Sequence, residues 1–216
     1  MNTDTARMSI DPTLVLAQWL SPGFPVGAFA YAHGLEAAIA DGQVRDADSL
    51  TAWLTDVLEN GSGRCDAILM RAGFGDAAEA DAHARAFAAS AERLLEMDLQ
   101  GRAFCQTLAA TEGMVLDALA YPVAVGQAAA QKGLPMNATV AMYLQAFVAN
   151  LVSAAQRLMP LGQTEGQRVL NAVRPVVAAV TAATDGAGLD DLHSSAWMSD
   201  IAAMRHETMT TRIFRT

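Results

Sequence analysis

Apolar residues recur along this chain at helical rather than strand spacing, and alanine fills many of the gaps between them. Leu50, Trp53, Leu54, Val57 and Leu58 fall at i, i+3, i+4, i+7 and i+8, the pattern of one buried helix face. Val140, Tyr143, Leu144, Phe147 and Leu151 repeat it, as do Val169, Leu170, Val173, Val177 and Val180. Trp197, Ile201 and Met204 form a last apolar stripe. The chain is 52% hydrophobic but only 6% aromatic, so alanine carries much of the apolar count. Alanine is the best helix former and a poor space filler, which favours helices packed at close range. No alternating strand run and no internal repeat stands out. The expectation is an all-α, single-domain helical bundle over residues 1–216, with roughly eight to ten helices of about 11–12 residues each.

Punctuation supports that division. Ser21-Pro-Gly-Phe-Pro-Val-Gly27, Gly61-Ser-Gly63, Gly73-Phe-Gly75, Lys132-Gly-Leu-Pro135, Met159-Pro-Leu-Gly162 and Asp185-Gly-Ala-Gly188 are read as helix-separating loops. Asp48 or Ser49 is placed as the cap of the helix through Leu50, and Asn137 as the cap of Ala138–Val152. The alanine-rich stretch Asp81 to Met97 reads as one helix, with Phe87, Ala91 and Leu94 on one face. Pro175 is expected to kink or restart the helix around Val173. Ala138–Val152 is apolar on more than one face, which suits a central core helix. Gln145 and Asn150 interrupt it, and it is short for a membrane span.

Charge and motifs exclude more than they select. The net charge is -9, with no basic footprint for nucleic acid or for an anionic membrane. Cys65 and Cys105 match no zinc spacing and read as buried thiols in a reducing cytosol. Residues 1–12 lack the apolar region of a signal peptide and are expected to form a disordered arm on a cytoplasmic protein. The glycines of the loop after Leu20 fit neither a dinucleotide fingerprint nor a phosphate loop. His206-Glu207 begins a zinc-protease pattern, but position 210 is Thr. None of His33, His83, His193 and His206 pairs with another His at helical spacing. No catalytic residue, metal site or cofactor is expected, and the chain is read as a non-enzyme. Asp190-Asp191 reads as a helix-start pair, and Thr164 with Gln167 as a local cap. Gln163, Glu165, Gln167 and Arg168 could instead form a polar contact patch. The loop could display Phe29, Tyr31 and His33 to a partner. The end of the chain, Ile201–Thr216, lacks the usual helix stop, and Arg212 and Arg215 bracket Ile213 and Phe214. Such a terminus either packs on its own core or is held by a partner.

Three segments together carry a family resemblance. Leu20-Ser-Pro-Gly-Phe-Pro-Val-Gly-Ala-Phe-Ala-Tyr-Ala-His-Gly-Leu-Glu36 resembles the N-terminal motif of the UreF family of urease accessory proteins. Leu161-Gly-Gln-Thr-Glu-Gly-Gln-Arg168 resembles its central motif, and Met204-Arg-His-Glu-Thr-Met-Thr-Thr-Arg-Ile-Phe-Arg-Thr216 its C-terminal signature. Order and spacing fit from about Leu14 to the end, and Asn60 to Lys132 matches mainly as helical filler. The resemblance implies an all-α homodimer that bridges UreD (also called UreH) and the GTPase UreG. It implies a co-chaperone role in GTP-dependent nickel insertion into apo-urease. It also implies a tail, residues 201–216, that becomes ordered against UreD/UreH. Arg212 is then the key contact, with Arg205, His206, Glu207, Phe214 and Arg215 beside it, and Phe29 is the aromatic that positions the tail. A second expectation is a GTPase-activating or GTPase-timing regulator of UreG, using Arg168, Arg205, Arg212 or Arg215. A third is direct nickel carriage through His33, His193 or His206.

Overall fold

The computed structural model describes residues 11–216, so residues 1–10 of the expected arm lie outside the described residues. Asp11 already belongs to the first helix as its cap, accepting a hydrogen bond from Thr13 N at 2.8 Å. The helices are α1 (Pro12–Trp19), α2 (Leu35–Ala40), α3 (Ala47–Asn60), α4 (Ser62–Gly75), α5 (Ala77–Ala86), α6 (Ala91–Glu112), α7 (Tyr121–Lys132), α8 (Met136–Leu158), α9 (Gln163–Ala183) and α10 (Trp197–His206). Short 3-10 turns occupy Ala28–Ala30 and Leu189–Asp191. No strand occurs among the described residues, and the all-α expectation holds.

Local chemistry moves several boundaries away from the sequence reading. α3 is capped by Asp46, not by Asp48 or Ser49. The Asp46 carboxylate accepts Ser49 N at 2.8 Å while Ser49 Oγ accepts Asp46 N at 3.1 Å, a reciprocal box. The alanine-rich stretch is two helices, because Ser90 Oγ accepts Arg93 N at 3.0 Å and starts α6 afresh. Propensity alone cannot place that break, since alanine favours helix on both sides of it. α8 begins at Met136, behind Pro135, and runs past Val152 to Leu158. α9 continues unbroken through Pro175. The proline ring lies on the exposed face while Val173 and Val177 on the opposite side are buried, so water can meet the freed carbonyl and packing keeps the axis. Asp191 accepts Gly188 N at 2.9 Å, which makes it a turn-closing carboxylate.

The core is built on close helix crossings. Gly73, expected in a loop, lies inside α4 and faces α7, where a Cβ would stand 2.8 Å from Val123 O. Gly126 of α7 reciprocates, and an added Cβ there would collide with the carbonyl of Met70. Gly101 of α6 meets the carbonyl of Leu119 in the same way. α8 crosses beside these helices and buries Val140, Tyr143, Leu144, Val148, Leu151 and Val152. By length and composition it is the one described helix that could cross a membrane, yet half of its most apolar window is buried within the bundle. Cys105 is buried and Cys65 half-buried; burial pushes the Cys65 thiol up to about 11.

One interior region is ionic. Arg93 Nη2 reaches both oxygens of Asp66, at 2.8 and 2.7 Å, and Tyr143 donates its hydroxyl to the same carboxylate at 2.8 Å. Arg93 Nη1 lies 3.3 Å from Glu96, which also accepts from Gln100 at 3.1 Å. Burial alone would lower the Arg93 pKa, but the Asp66 and Glu96 carboxylates outweigh it and hold the guanidinium charged. Burial likewise works against ionised Glu96, and the attraction of Arg93 and His33 wins.

Two stability outcomes follow from these contacts. Gly126→Ala should destabilise the protein by about 1–3 kcal/mol through overpacking, although alanine is the better helix former. Gly75→Ala, where an added Cβ meets nothing within 4 Å, should be close to neutral in the same urea titration. Asp66→Ala, which leaves the buried guanidinium with Glu96 as its remaining carboxylate, should cost about 3–5 kcal/mol. A loss no larger than about 0.5 kcal/mol, the scale of a surface substitution, would contradict an ion pair at this position.

Candidate partner-docking site

The loop between α1 and α2 is anchored from within. Phe24 and Val26 are buried, and Phe24 N donates to Ser21 O at 3.0 Å. After the Ala28–Ala30 turn the backbone enters the left-handed region at His33 (φ 58°) and Gly34 (φ 74°). Gly34 is required twice over: a Cβ there would also sit 2.6 Å from Ala203 N of α10. His33 tolerates its strained backbone inside a cage of contacts. Its Nε2 is 2.7 Å from Ser62 Oγ, and its Nδ1 is 3.4 Å from Glu96. In the first turn of α2, the buried carboxylate of Glu36 faces the end of the chain.

That end is held by its own fold. Past His206 the backbone turns, with Thr208 N donating to Arg205 O at 3.1 Å. Glu207 accepts Ala91 N at 2.7 Å and so helps to cap α6. His206 is fully buried, with Nδ1 2.6 Å from Glu92 and Nε2 3.4 Å from Glu36. Arg212 pairs with the other oxygen of Glu92. Glu36 takes Ile213 N on one oxygen at 2.7 Å and Phe214 N on the other at 2.8 Å. Arg215 N donates to Ala30 O at 2.8 Å, and Ala32 N donates to Thr216 O at 3.0 Å, a short strand-like ladder between tail and loop. Phe214 is buried beneath the Arg157 guanidinium, 4.7 Å from its ring centre, and Arg157 also donates to Phe29 O at 3.3 Å. Thr216 Oγ1 donates to Glu96 at 3.2 Å.

These positions revise the expected roles. Residues 201–206 are the second half of α10, and residues 207–216 contact the loop, α2, α6 and α8 of the same chain. Phe29 does not position the tail with its ring, which is 68% exposed; it contributes only its backbone carbonyl. The aromatic that meets the tail is Tyr31, buried beside Arg215. Burial raises the Tyr31 phenol above its ordinary value and the hydrogen bond to Arg215 opposes that. Arg205 is exposed and tied to Asp41 at 2.5 Å. The stripe of Trp197, Ile201 and Met204 does not face the core: these residues are 68%, 44% and 51% exposed, while Ser199, Ala202 and His206 face inward.

The central segment joins the same region through α8. Gln163, Glu165, Gln167 and Arg168 are all exposed on the first turns of α9. The cap there is Glu165, which accepts Gly162 N at 3.2 Å, rather than Thr164 or Gln167. Gln156 of α8 donates to Gly162 O at 3.4 Å and to Gln163 at 3.3 Å. Its neighbour Arg157 holds the loop and the tail. The three separated sequence segments therefore converge on two adjacent residues near the end of α8. Sequence reasoning missed Glu36, Glu92, Gln156 and Arg157. Glu36 lay inside the N-terminal segment and was passed over; the other three carry no signal, since a charged or amide residue on a helix is ordinarily solvated.

Two cavities flank the junction. One of about 400 Å³ lies between α1, the loop and α8; one of about 210 Å³ lies beside α10, with Phe87, Trp197, Ile201 and Met204 in its lining. His33, Arg93 and Glu96 line both. Among the described residues no three His, Cys, Asp or Glu side chains are grouped to hold a metal ion.

The UreF family model matches residues 44–174. A urease accessory protein UreF of Roseobacter denitrificans is 51% identical, covering 100% of this chain and 99% of its own length. That of Cereibacter sphaeroides (strain KD131 / KCTC 12085) is 54% identical over 94% of this chain and 98% of its own. That of Ruegeria pomeroyi is 48% identical over 94% and 96%. With similarity of this extent running from the first helix through the docked tail, the chain belongs to the UreF family of urease accessory proteins.

Proposed function

We propose that the chain is a cytoplasmic adaptor of urease maturation, which as a homodimer bridges UreD (UreH) and the GTPase UreG during GTP-dependent nickel insertion into apo-urease. UreD/UreH docks on the face formed by α10 and the tail. The observation that carries this reading is the outward apolar stripe of Trp197, Ile201 and Met204, on a helix whose inward positions are Ser, Ala and His. A contiguous apolar stripe on a surface marks an interaction site more often than a solvated face. It adjoins the tail, where Ile213 is also 68% exposed while Phe214 beside it is buried. Arg212 serves the contact by fixing the tail on Glu92 and by presenting a partly exposed guanidinium.

Arg212→Ala should weaken binding to UreD/UreH by roughly tenfold or more, the scale of a truncated interface arginine, with helix content unchanged by circular dichroism. Trp197→Ala should weaken it comparably without altering Arg212. Unchanged affinity in both variants by calorimetry would remove UreD/UreH from this face.

A second reading, regulation of UreG turnover, is favoured by one residue. Of the four arginines suited to act in trans, Arg205 and Arg212 are paired with Asp41 and Glu92, and Arg215 lies beside Tyr31. Arg168 is exposed on α9 and has no carboxylate partner among the described residues. If the chain stimulates GTP hydrolysis by UreG, Arg168→Ala should abolish that stimulation while UreG still co-elutes with the complex. A turnover rate indifferent to the presence of the chain would leave the adaptor role alone.

A further inference from the structure

We infer that the cleft holding residues 212–216 is a peptide-recognition site, filled in cis by the chain's own end and able to take the same segment in trans. The hold has the form of strand addition, in which backbone pairing supplies affinity and pockets for alternate side chains supply selectivity. The backbone pairs at Arg215 with Ala30 and at Thr216 with Ala32. Glu36 adds a receptor for the backbone itself, one carboxylate oxygen for each of two successive N–H groups. Phe214 and Thr216 then enter the cleft, under Arg157 and at Glu96 respectively, between the exposed Ile213 and Arg215, as alternation along an extended segment requires. Arg212 meets Glu92 at the exposed rim of the cleft. The ligand class is therefore an extended segment reading basic, any, aromatic, any, hydroxyl.

The composition of this contact separates it from ordinary core packing. Of residues 212–216 only Phe214 buries a large apolar side chain, and every other anchor is a hydrogen bond or an ion pair. Of the residues that lead into the cleft, Thr208, Thr210 and Thr211 are exposed and Met209 is half-buried against the core. A segment that is tied mainly by polar bonds and fed by a largely exposed connector can leave with little unpacking of the bundle. While tethered, it competes with any free copy at an effective concentration of roughly millimolar order. A free copy therefore gains the site only when the tethered one is weakened.

The inference stands independently of UreD/UreH and UreG. Its test uses the full-length protein and a fluorescent peptide of the sequence Glu207–Thr216, followed by anisotropy. Phe214→Ala in the protein weakens only the tethered segment, so this variant should bind the peptide at least roughly tenfold more tightly than the wild type. Adding Glu36→Ala to that variant, or replacing the peptide's own Phe by Ala, should remove the gain. Hydrogen exchange is the second measurement. The Ile213 and Phe214 amides should exchange slowly in the wild type and rapidly in Phe214→Ala, with helix content unchanged. No saturable binding to Phe214→Ala while these amides exchange rapidly would overturn the inference. So would binding indifferent to Glu36, or Ile213 and Phe214 amides that stay protected in Phe214→Ala.

Discussion

The inward polar face of α6 organises this protein. Glu92, Arg93, Glu96 and Gln100 lie within two turns of one another, and Arg93, Glu96 and Gln100 are buried. Arg93 fastens α6 to α4 through Asp66 and, through that carboxylate, to Tyr143 of α8. Once that pair is enclosed, Glu96 needs donors, and it draws them from Gln100 and Thr216, with His33 Nδ1 3.4 Å away. Glu92, at the start of the same helix, gathers His206 and Arg212. A desolvated carboxylate without partners would be costly, so the charges on α6 dictate where the loop and the tail must go. The end of the chain is thus shaped by satisfying carboxylates as much as by burying apolar surface.

The parts of this arrangement that depend on period were legible in the sequence. Helices around Leu54, Leu144 and Val173 follow from apolar spacing, because each buries one face against neighbours. What failed was local competition and tertiary pairing. The cap at Asp46 and the break at Ser90 turn on which of several polar side chains reaches a backbone N–H, a choice that propensity does not resolve. Gly73 looked like punctuation and is a close-approach residue, since a glycine inside a helix and one ending it read alike until the neighbouring helix is known. Glu36 and Arg157 were illegible for a further reason. Their partners lie 177 and 128 positions away in the chain. Nothing local distinguishes a carboxylate that will receive a distant backbone from one that faces water.

α10 shows most plainly where pattern misleads. Trp197, Ile201 and Met204 have the spacing of a core face, and the sequence reading assigned them to the core. The helix is turned the other way because its opposite face carries two requirements that apolar side chains cannot meet. Gly34 must approach the backbone at Ala202 and Ala203, which demands small residues there, and His206 must lie between Glu36 and Glu92. Presenting Trp197 and Met204 to the interior would fill the first space and draw the imidazole away from the buried Glu36 and the half-buried Glu92. The apolar stripe is left outside as the consequence of a polar constraint within. An apolar period thus identifies a face that wants cover, and the charges on the facing helices decide whether the protein's own core or another surface supplies it.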